Sequence, residues 1–166
     1  MRQQNVLNGL ALFTLMGTSV ASAAHPDKKC KKLEAQIVAV PLTTGCTSAF
    51  GLCTAGTIDG NQGLRGTTRF VADGITPSPA SAPDGPATIA YSGVIHIVTS
   101  NGTLDVRDTG VFDTATGTPT GGLFVSFDRI DGGTGRFAGA TGTLLIGGRT
   151  VEGRLVADVT GELCER

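Results

Sequence analysis

The sequence predicts an all-β domain, an eight-stranded antiparallel barrel, and three observations support this. Glycine supplies 25 of the 166 residues, and a glycine in a helix interior costs about 1 kcal/mol relative to alanine. Short runs of β-branched and alternating apolar residues recur between clusters of Gly, Asn, Asp and Pro, which is typical of strands joined by turns. No helical periodicity is found beyond the N-terminal segment. Eight strands suit a barrel because closure removes the two edges of a sheet.

The first residues have the pattern of an export signal rather than of a folded element. Arg2 precedes a mostly apolar run at residues 6–20, and the small residues at 21–23 form an A-x-A cleavage site. The apolar run is shorter than the roughly 20 residues that span a bilayer. We therefore expect a secreted or periplasmic protein with no transmembrane segment after cleavage. The chain divides into a signal peptide (1–23), a basic N-terminal arm (24–32) and a single β-barrel domain (33–166).

The charge composition excludes one class of function. The net charge is −1, and only 16% of the residues are charged. The four lysines all lie in the basic arm, at Lys28, Lys29, Lys31 and Lys32. Nucleic-acid binding through a basic surface is therefore not expected, and the lysines are interpreted as solvated residues of an exposed arm.

Export changes the interpretation of the four cysteines, because an even number in an oxidising compartment indicates disulfides. Four cysteines allow three pairings. A bridge between Cys46 and Cys53 would clamp a short glycine-rich loop. Cys30 and Cys164 would then tie the two ends of the mature chain, which requires the first and last strands to be neighbours. A zinc site is disfavoured because the chain has no C-x₂-C pair and only two histidines.

Hydrophobic patterning and turn residues define the predicted strands. The most regular alternation lies at residues 87–100, and Asn101-Gly102 after it predicts a type I′ hairpin turn. Residues 73–86 contain most of the prolines and are predicted as a loop, as is 114–122. The eight predicted strands cover residues 33–42, 53–58, 63–72, 87–100, 103–112, 122–130, 139–146 and 151–163.

The predicted hairpin also predicts which side chains share a face. A two-residue turn pairs Ser100 with Thr103 and His96 with Arg107, so that His96, Asp105 and Arg107 project together. The opposite face is more apolar and carries Ile95, Ile97, Thr99, Leu104, Val106 and Asp108. Because the apolar face of a small barrel fills or lines its interior, His96 and Arg107 are expected outside. The alternative is a polar site inside the lumen, where an aspartate would orient the histidine.

A set of candidate ligand-binding residues follows from these faces. Tyr91 shares one face of its predicted strand with Ile89 and Ile95. In the predicted strand at residues 122–130, Phe124, Ser126 and Asp128 share one face. Each candidate could instead be an ordinary core or surface residue. The candidates are Tyr91, His96, Arg107, Phe124, Ser126 and Asp128.

The glycine-rich segment at residues 130–142 has the most specific pattern. Gly132, Gly133 and Gly135 can adopt positive φ, and Phe137 can cover one barrel end. Gly139 and Gly142 allow a bulge or a close approach of strands. The segment lacks the G-x-x-x-x-G-K-[ST] pattern of a phosphate-binding loop, so nucleotide binding is not expected.

This segment resembles the "TGG(S/T)G-x-F-x-G-A-x-G" hairpin of allene oxide cyclase-type barrels and the "GGTG-x-F" segment of dirigent proteins. A weaker resemblance to exported bacterial proteins with this domain covers about residues 46–161. The resemblance implies a calycin-like, eight-stranded antiparallel barrel with an apolar cavity, and a dimer or trimer. Plant members of these families cyclise a fatty-acid epoxide or steer radical coupling of phenols. The matched hairpin is structural there, so it carries over no catalytic residue.

Three function classes follow as expectations. The first is an exported barrel that binds a small apolar molecule or a surface partner without catalysis. The second is an allene oxide cyclase-like or dirigent-like cyclase or auxiliary acting on a small hydrophobic substrate, and the third is a structural envelope or extracellular protein with a filled barrel. No cofactor and no metal are expected. Calcium binding at the clustered residues Asp105, Asp108 and Asp113 is an alternative, but they lack the spacing of an EF-hand.

Overall fold

Eight antiparallel strands, paired in chain order, close into a barrel in the computed structural model, which describes residues 29–77, 88–113 and 122–165. The predicted all-β, eight-stranded antiparallel barrel is therefore confirmed. The strands are β1 (Lys29–Pro41), β2 (Cys53–Gly60), β3 (Arg65–Pro77), β4 (Thr88–Thr99), β5 (Gly102–Asp113), β6 (Leu123–Gly133), β7 (Thr141–Val151) and β8 (Arg154–Glu165). Within the described ranges, a single 3₁₀ turn at Gly135–Phe137 is the only helix, and no helix there has the length and apolar character needed to cross a bilayer.

Several strands are longer than the side-chain pattern predicts. The end of the predicted basic arm belongs to β1, because Lys29 to Lys32 pair with the end of β8 although their side chains are exposed. The first five residues of the predicted loop at 73–86 belong to β3, whose pairing with β4 resumes at Gly74 after a bulge. Backbone pairing extends β1 and β3 beyond the hydrophobic core. The sequence there has no alternation of apolar residues from which these strand ends could be predicted. The predicted signal peptide and the rest of both predicted loops lie outside the described residues.

The turn between β4 and β5 is placed differently from the prediction. Thr99 pairs with Gly102, so the connecting residues are Ser100 and Asn101, and neither has a positive φ. The hydroxyl oxygen of Thr99 accepts a hydrogen bond from the Asn101 backbone N–H at 3.0 Å. Such local side-chain bonds compete with the expected turn type. The predicted type I′ turn at Asn101-Gly102 is therefore wrong.

The register of this hairpin differs from the prediction by two residues. His96 faces Asp105, and Arg107 faces Val94. A shift of two residues keeps every side chain on its predicted face, since side chains alternate with a period of two. The faces were therefore correct although the partners were not.

Gly102 has a separate structural role. Its φ is +136°, and a Cβ at this position would lie 2.1 Å from the carbonyl oxygen of Thr134. The backbone N–H of Arg136 donates to the Asn101 carbonyl oxygen at 2.9 Å. The β4–β5 turn and the glycine-rich turn after β6 are thus in direct backbone contact, which only glycine allows.

The hairpin that joins β7 and β8 also differs from the prediction. Glu152 and Gly153 form its turn, with φ values of 51° and 75°. The predicted end of β7 at Ile146 is too early, because the strand continues through Gly147 and Gly148 to Val151. The glycines carry no side-chain pattern, yet a Cβ at Gly148 would lie 2.2 Å from the Val156 carbonyl oxygen. Close strand approach explains why glycine is tolerated inside this strand.

One half of the barrel is filled by apolar side chains. Phe137, carried by the 3₁₀ turn, is fully buried there, so its predicted role in covering a barrel end is supported. The φ values of Gly132 and Gly135 are positive, as expected, whereas Gly133 instead approaches the Thr103 carbonyl oxygen closely. Gly139, which was expected at a bulge or a close strand approach, also has a positive φ. Gly142 likewise permits the close approach of Glu162. The other large, fully buried side chains of this half are Leu33, Ile58, Leu64, Ile97, Leu104, Ile130 and Leu163.

Two disulfide bonds cross-link the barrel. Cys30 and Cys164 are cross-strand partners of β1 and β8 and are bonded to each other, which ties the closing seam of the barrel. Cys46 and Cys53 bridge the segment that leads into β2. A Cys30–Cys164 bridge was expected to require that the first and last strands are neighbours, and β1 and β8 are paired.

Candidate functional site

The other half of the barrel encloses a cavity of about 470 Å³. It lies where the odd-numbered strands end and the even-numbered strands begin, opposite the end that Phe137 covers. Its lining comes from inward-facing positions of all eight strands and of the segments next to them. The apolar lining residues are Ile37, Ala39, Pro41, Leu52, Phe70, Ile89, Ile95, Phe112, Phe124, Ile146, Leu155 and Ala157.

Aromatic contacts shape this lumen. The rings of Phe70 and Tyr91 meet edge to face, with centroids 5.8 Å apart. Phe112 and Phe124 lie on the neighbouring strands β5 and β6 with centroids 6.4 Å apart. Aromatic pairs of this kind stabilise a fixed arrangement beyond the area they bury, so the walls are preformed.

Polar side chains are concentrated at the inner end of the cavity. Asp108, Ser126 and Asp128 are 5%, 3% and 0% exposed. Asp108 on β5 and Asp128 on β6 are direct cross-strand partners, so their side chains project inward side by side. The Ser126 hydroxyl donates a hydrogen bond to Asp128 Oδ2 at 3.1 Å. Asp108 Oδ1 and Asp128 Oδ1 are the buried side-chain polar atoms without a hydrogen-bond partner in the part of the chain that the structure describes.

Tyr91 completes this polar group from β4. Tyr91, Gly110 and Ser126 follow one another across three strands as register partners. A Cβ on Gly110 would lie 2.7 Å from the Tyr91 hydroxyl oxygen. The missing side chain therefore gives the tyrosine room to extend over β5 toward Ser126. We call Tyr91, Asp108, Ser126 and Asp128 the polar floor.

Burial changes the acid–base properties of the polar floor. Desolvation, followed by the charge of Asp108, raises the pKa of Asp128 to about 8. Desolvation also raises the pKa of Asp108. Two carboxyl groups this close in an apolar surrounding do not both ionise, because like charges repel and neither is hydrated. Near neutral pH the pair therefore holds one proton, with Asp128 as the better proton holder.

The tyrosine stays neutral in this environment. Burial is the main cause that raises the pKa of Tyr91 far above its ordinary value, and the charge of Asp108 adds to it. A neutral phenol can donate one hydrogen bond to a ligand oxygen. The polar floor thus contains a hydrogen-bond donor, an ionised carboxylate and a protonated carboxyl group at the end of an apolar cavity.

No family model, curated protein or solved structure matches this chain. The chemistry of the site is therefore argued from its own residues.

The six predicted ligand-binding residues fall into two groups. Tyr91, Phe124 and Ser126 line the cavity, and Asp128 lies directly beneath them. The structure brings these four together. Two buried threonines that also face the lumen, Thr54 and Thr68, were not predicted, although they share the inward-facing positions of β2 and β3 with Ile58 and Phe70.

His96 and Arg107 lie on the outer face, so their inclusion among the lumen candidates is corrected. Nδ1 of His96 contacts Asp105 Oδ1 at 2.5 Å, and both side chains are about half exposed. Arg107 makes two contacts with Asp73, of which Nη2 to Oδ1 measures 3.1 Å. The physical reason is the alternation in β4 and β5, which turns these polar side chains toward water and their apolar neighbours inward.

Sequence reasoning missed the role of Asp108. The predicted hairpin puts Asp108 on the apolar face, but the only role predicted for it from the sequence is that of a calcium ligand with Asp105 and Asp113. Asp105 faces outward and Asp108 inward, so the structure does not bring these carboxylates together. No cluster of three or more potential metal ligands occurs among residues 29–77, 88–113 and 122–165. An aspartate on an apolar face was the available signal for a buried polar site.

Proposed function

We propose that this barrel binds one small, mostly apolar molecule in its cavity, with a single ligand oxygen directed at the polar floor. The observation that carries the proposal is the unpartnered carboxyl oxygen of Asp108, a residue that lines the inner end of an apolar lumen. A buried polar atom without a partner costs about 1–3 kcal/mol. A ligand that supplies the missing hydrogen bonds removes this cost, and a purely apolar ligand does not.

The size and polarity of the cavity define the ligand class. A volume of about 470 Å³ lies within the range of small-molecule sites. Because the carboxyl pair holds one proton, it can accept or donate, and Tyr91 donates. A carbonyl or hydroxyl group on a hydrocarbon frame fits this set, whereas a carboxylate ligand would face like charge.

The cellular setting is part of the proposal. Two disulfides are typical of proteins from oxidising compartments, and the N-terminal pattern favours export. We therefore infer that the protein works outside the cytoplasm. The hairpin resemblance to allene oxide cyclase-type barrels supports the same kind of cavity-based function, and a dimer or trimer stays a prediction.

A fluorescent probe tests the binding proposal. N-phenyl-α-naphthylamine is uncharged and apolar and becomes bright when it leaves water, so titration with the protein should give saturable binding at one site. Ala39→Phe places a ring in the cavity, because Ala39 is an inward-facing wall residue. We expect this variant to lose at least about tenfold in affinity, or about 1.4 kcal/mol.

The matched control is Val40→Phe. Val40 is the next residue of β1 and its side chain is exposed on the outside, so the same substitution there should leave probe affinity unchanged. Circular dichroism and denaturation check that both variants are folded. Absence of saturable binding to the wild type, or equal affinity of the wild type and Ala39→Phe, would overturn the proposal.

A further inference from the structure

We propose that Asp108 and Asp128 form an acid–base pair that catalyses proton transfer at the carbon next to the carbonyl group of a small apolar ketone. Tyr91 holds the carbonyl oxygen in this arrangement. The inference rests on the proposed binding function and adds a reaction class to the same site. It requires no cofactor, because an enolisation followed by reprotonation is balanced within the substrate and one carboxyl group.

The two carboxyl groups have different positions and therefore different roles. Asp108 lines the cavity, whereas Asp128 is completely buried beneath it and receives the Ser126 hydrogen bond. The proton of the pair is best held by the deeper group, which leaves Asp108 ionised toward the lumen. Asp108 is the catalytic base, and Asp128 is a positioning residue that acts through it.

The reaction follows from this geometry. An Asp108 carboxylate oxygen takes the proton from the carbon beside the carbonyl group. The electron pair of that C–H bond becomes the carbon–carbon double bond, and the carbonyl π electrons move to oxygen, where the Tyr91 hydroxyl donates a hydrogen bond. Asp108 then returns the proton to the same carbon or, in an unsaturated ketone, to the far end of the conjugated system. The product is the original ketone or its double-bond isomer.

The surroundings make Asp108 an effective base. Desolvation raises its pKa, and a base is most useful when its pKa approaches the working pH. The charged or titratable groups that act on it are Tyr91 from β4, Asp128 from β6 and Arg107 from the outer face of β5. Arg107 favours the ionised form of Asp108, so it helps keep the base deprotonated.

Deuterium exchange into β-tetralone provides the test. This bicyclic ketone has acidic protons on the carbons beside its carbonyl group, and their replacement by deuterium in heavy water is followed by proton NMR. The oxidised wild-type protein should raise the exchange rate at least about tenfold above that of buffer, a threshold set below the roughly 10²–10⁴-fold contribution typical of acid–base catalysis. N-phenyl-α-naphthylamine should suppress this gain by occupying the cavity.

Variants distinguish the roles of the residues. Asp108→Asn should return exchange to the buffer rate, and Tyr91→Phe should reduce it while the pH dependence stays the same. Asp128→Leu should instead move the pH at which the rate rises toward higher values, because it removes the hydrogen bond from Asp128 that lowers the pKa of Asp108. Asp158→Asn on the outer face of β8 is the matched control and should exchange as the wild type does.

The outcomes separate this inference from the binding proposal. Displacement of the fluorescent probe by β-tetralone and by its hydrocarbon analogue tetralin measures binding alone. If β-tetralone displaces the probe but exchanges no faster than in buffer, catalysis is overturned and binding stands. If neither compound displaces it, no ketone complex forms and the catalytic proposal fails, while the probe titration and the Ala39→Phe variant decide the binding proposal. Exchange that the probe does not suppress, or that Asp108→Asn retains, also overturns the catalytic role.

Discussion

Asp128→Asn tests whether the buried carboxyl pair reduces the stability of the fold at alkaline pH. The substitution keeps the size of the side chain and an oxygen that can accept the Ser126 hydrogen bond. It removes the group that must ionise as the pH rises. We expect the variant to be more stable than the wild type near pH 9 and to lose most of this advantage near pH 5.

The sign follows from proton linkage. The pKa of Asp128 is about 8 in the folded protein and near 3.8 when the side chain is solvated. Between these values the folded state binds more protons than the unfolded state, so wild-type stability falls as the pH rises from about 4 to about 8. Above that range both states are ionised and the loss is complete.

The magnitude follows from the same shift. One pKa unit corresponds to about 1.4 kcal/mol, so a single carboxyl with this displacement would lose on the order of 6 kcal/mol. Part of that free energy belongs to Asp108, because the two groups titrate together. We therefore expect Asp128→Asn to gain at least about 2 kcal/mol at the alkaline end relative to the acid end.

Guanidinium chloride unfolding of the oxidised protein at several pH values measures this difference. Asp158→Asn, which removes an exposed carboxyl group from the outer face of β8, controls for the loss of one acid anywhere in the chain. A stability difference between Asp128→Asn and the wild type that does not vary between about pH 5 and pH 9 would refute the reasoning.

Three further predictions concern the barrel itself. Phe137→Ala should lower the free energy of unfolding by about 3–5 kcal/mol in denaturant titrations, because Phe137 is fully buried; a loss below about 1 kcal/mol would mean that the end is not packed on this ring. Gly102→Ala should lower the free energy of unfolding by more than about 1 kcal/mol, because the added Cβ would overlap the Thr134 carbonyl oxygen. An unchanged thermal unfolding midpoint would contradict this contact. Replacing both Cys30 and Cys164 by serine should lower the free energy of unfolding by about 5 kcal/mol, and replacing both Cys46 and Cys53 should lower it by about 2.5 kcal/mol. The difference is expected because the bridged residues are 134 and 7 positions apart, so the first bridge closes a much longer loop. Equal losses would argue against a loop-entropy origin of the stabilisation.

Side-chain alternation carried most of the correct structural predictions. In β4 it placed Tyr91 with Ile89 and Ile95, and in β6 it placed Phe124 with Ser126, because inward positions repeat every two residues. Strand ends were less predictable. Lys29 to Lys32 pair through their backbone while their side chains remain in solvent, so no periodicity marks them.

The polar floor could be predicted only in part. Its central feature is the pairing of Asp108 with Asp128, and this depends on the register between β5 and β6. A bulge next to Asp105 shifts that register by one residue. The alternation of side chains along each strand indicates that each aspartate faces inward. Only the strand register in the complete barrel shows that the two side chains are adjacent.

The two disulfides also imply an order of events during biosynthesis. Cys46 and Cys53 are close in sequence and can be oxidised as soon as that segment emerges, whereas Cys30 must wait until Cys164, in the last strand, has been made. During that interval Cys30 has only Cys46 and Cys53 as partners, and forming the short loop first removes both of them. Early local oxidation therefore protects the chain from mispairing and leaves the closing of the seam as the final covalent step. Pulse-labelled chains trapped with a thiol-blocking reagent should accordingly show a one-disulfide species before the mature form.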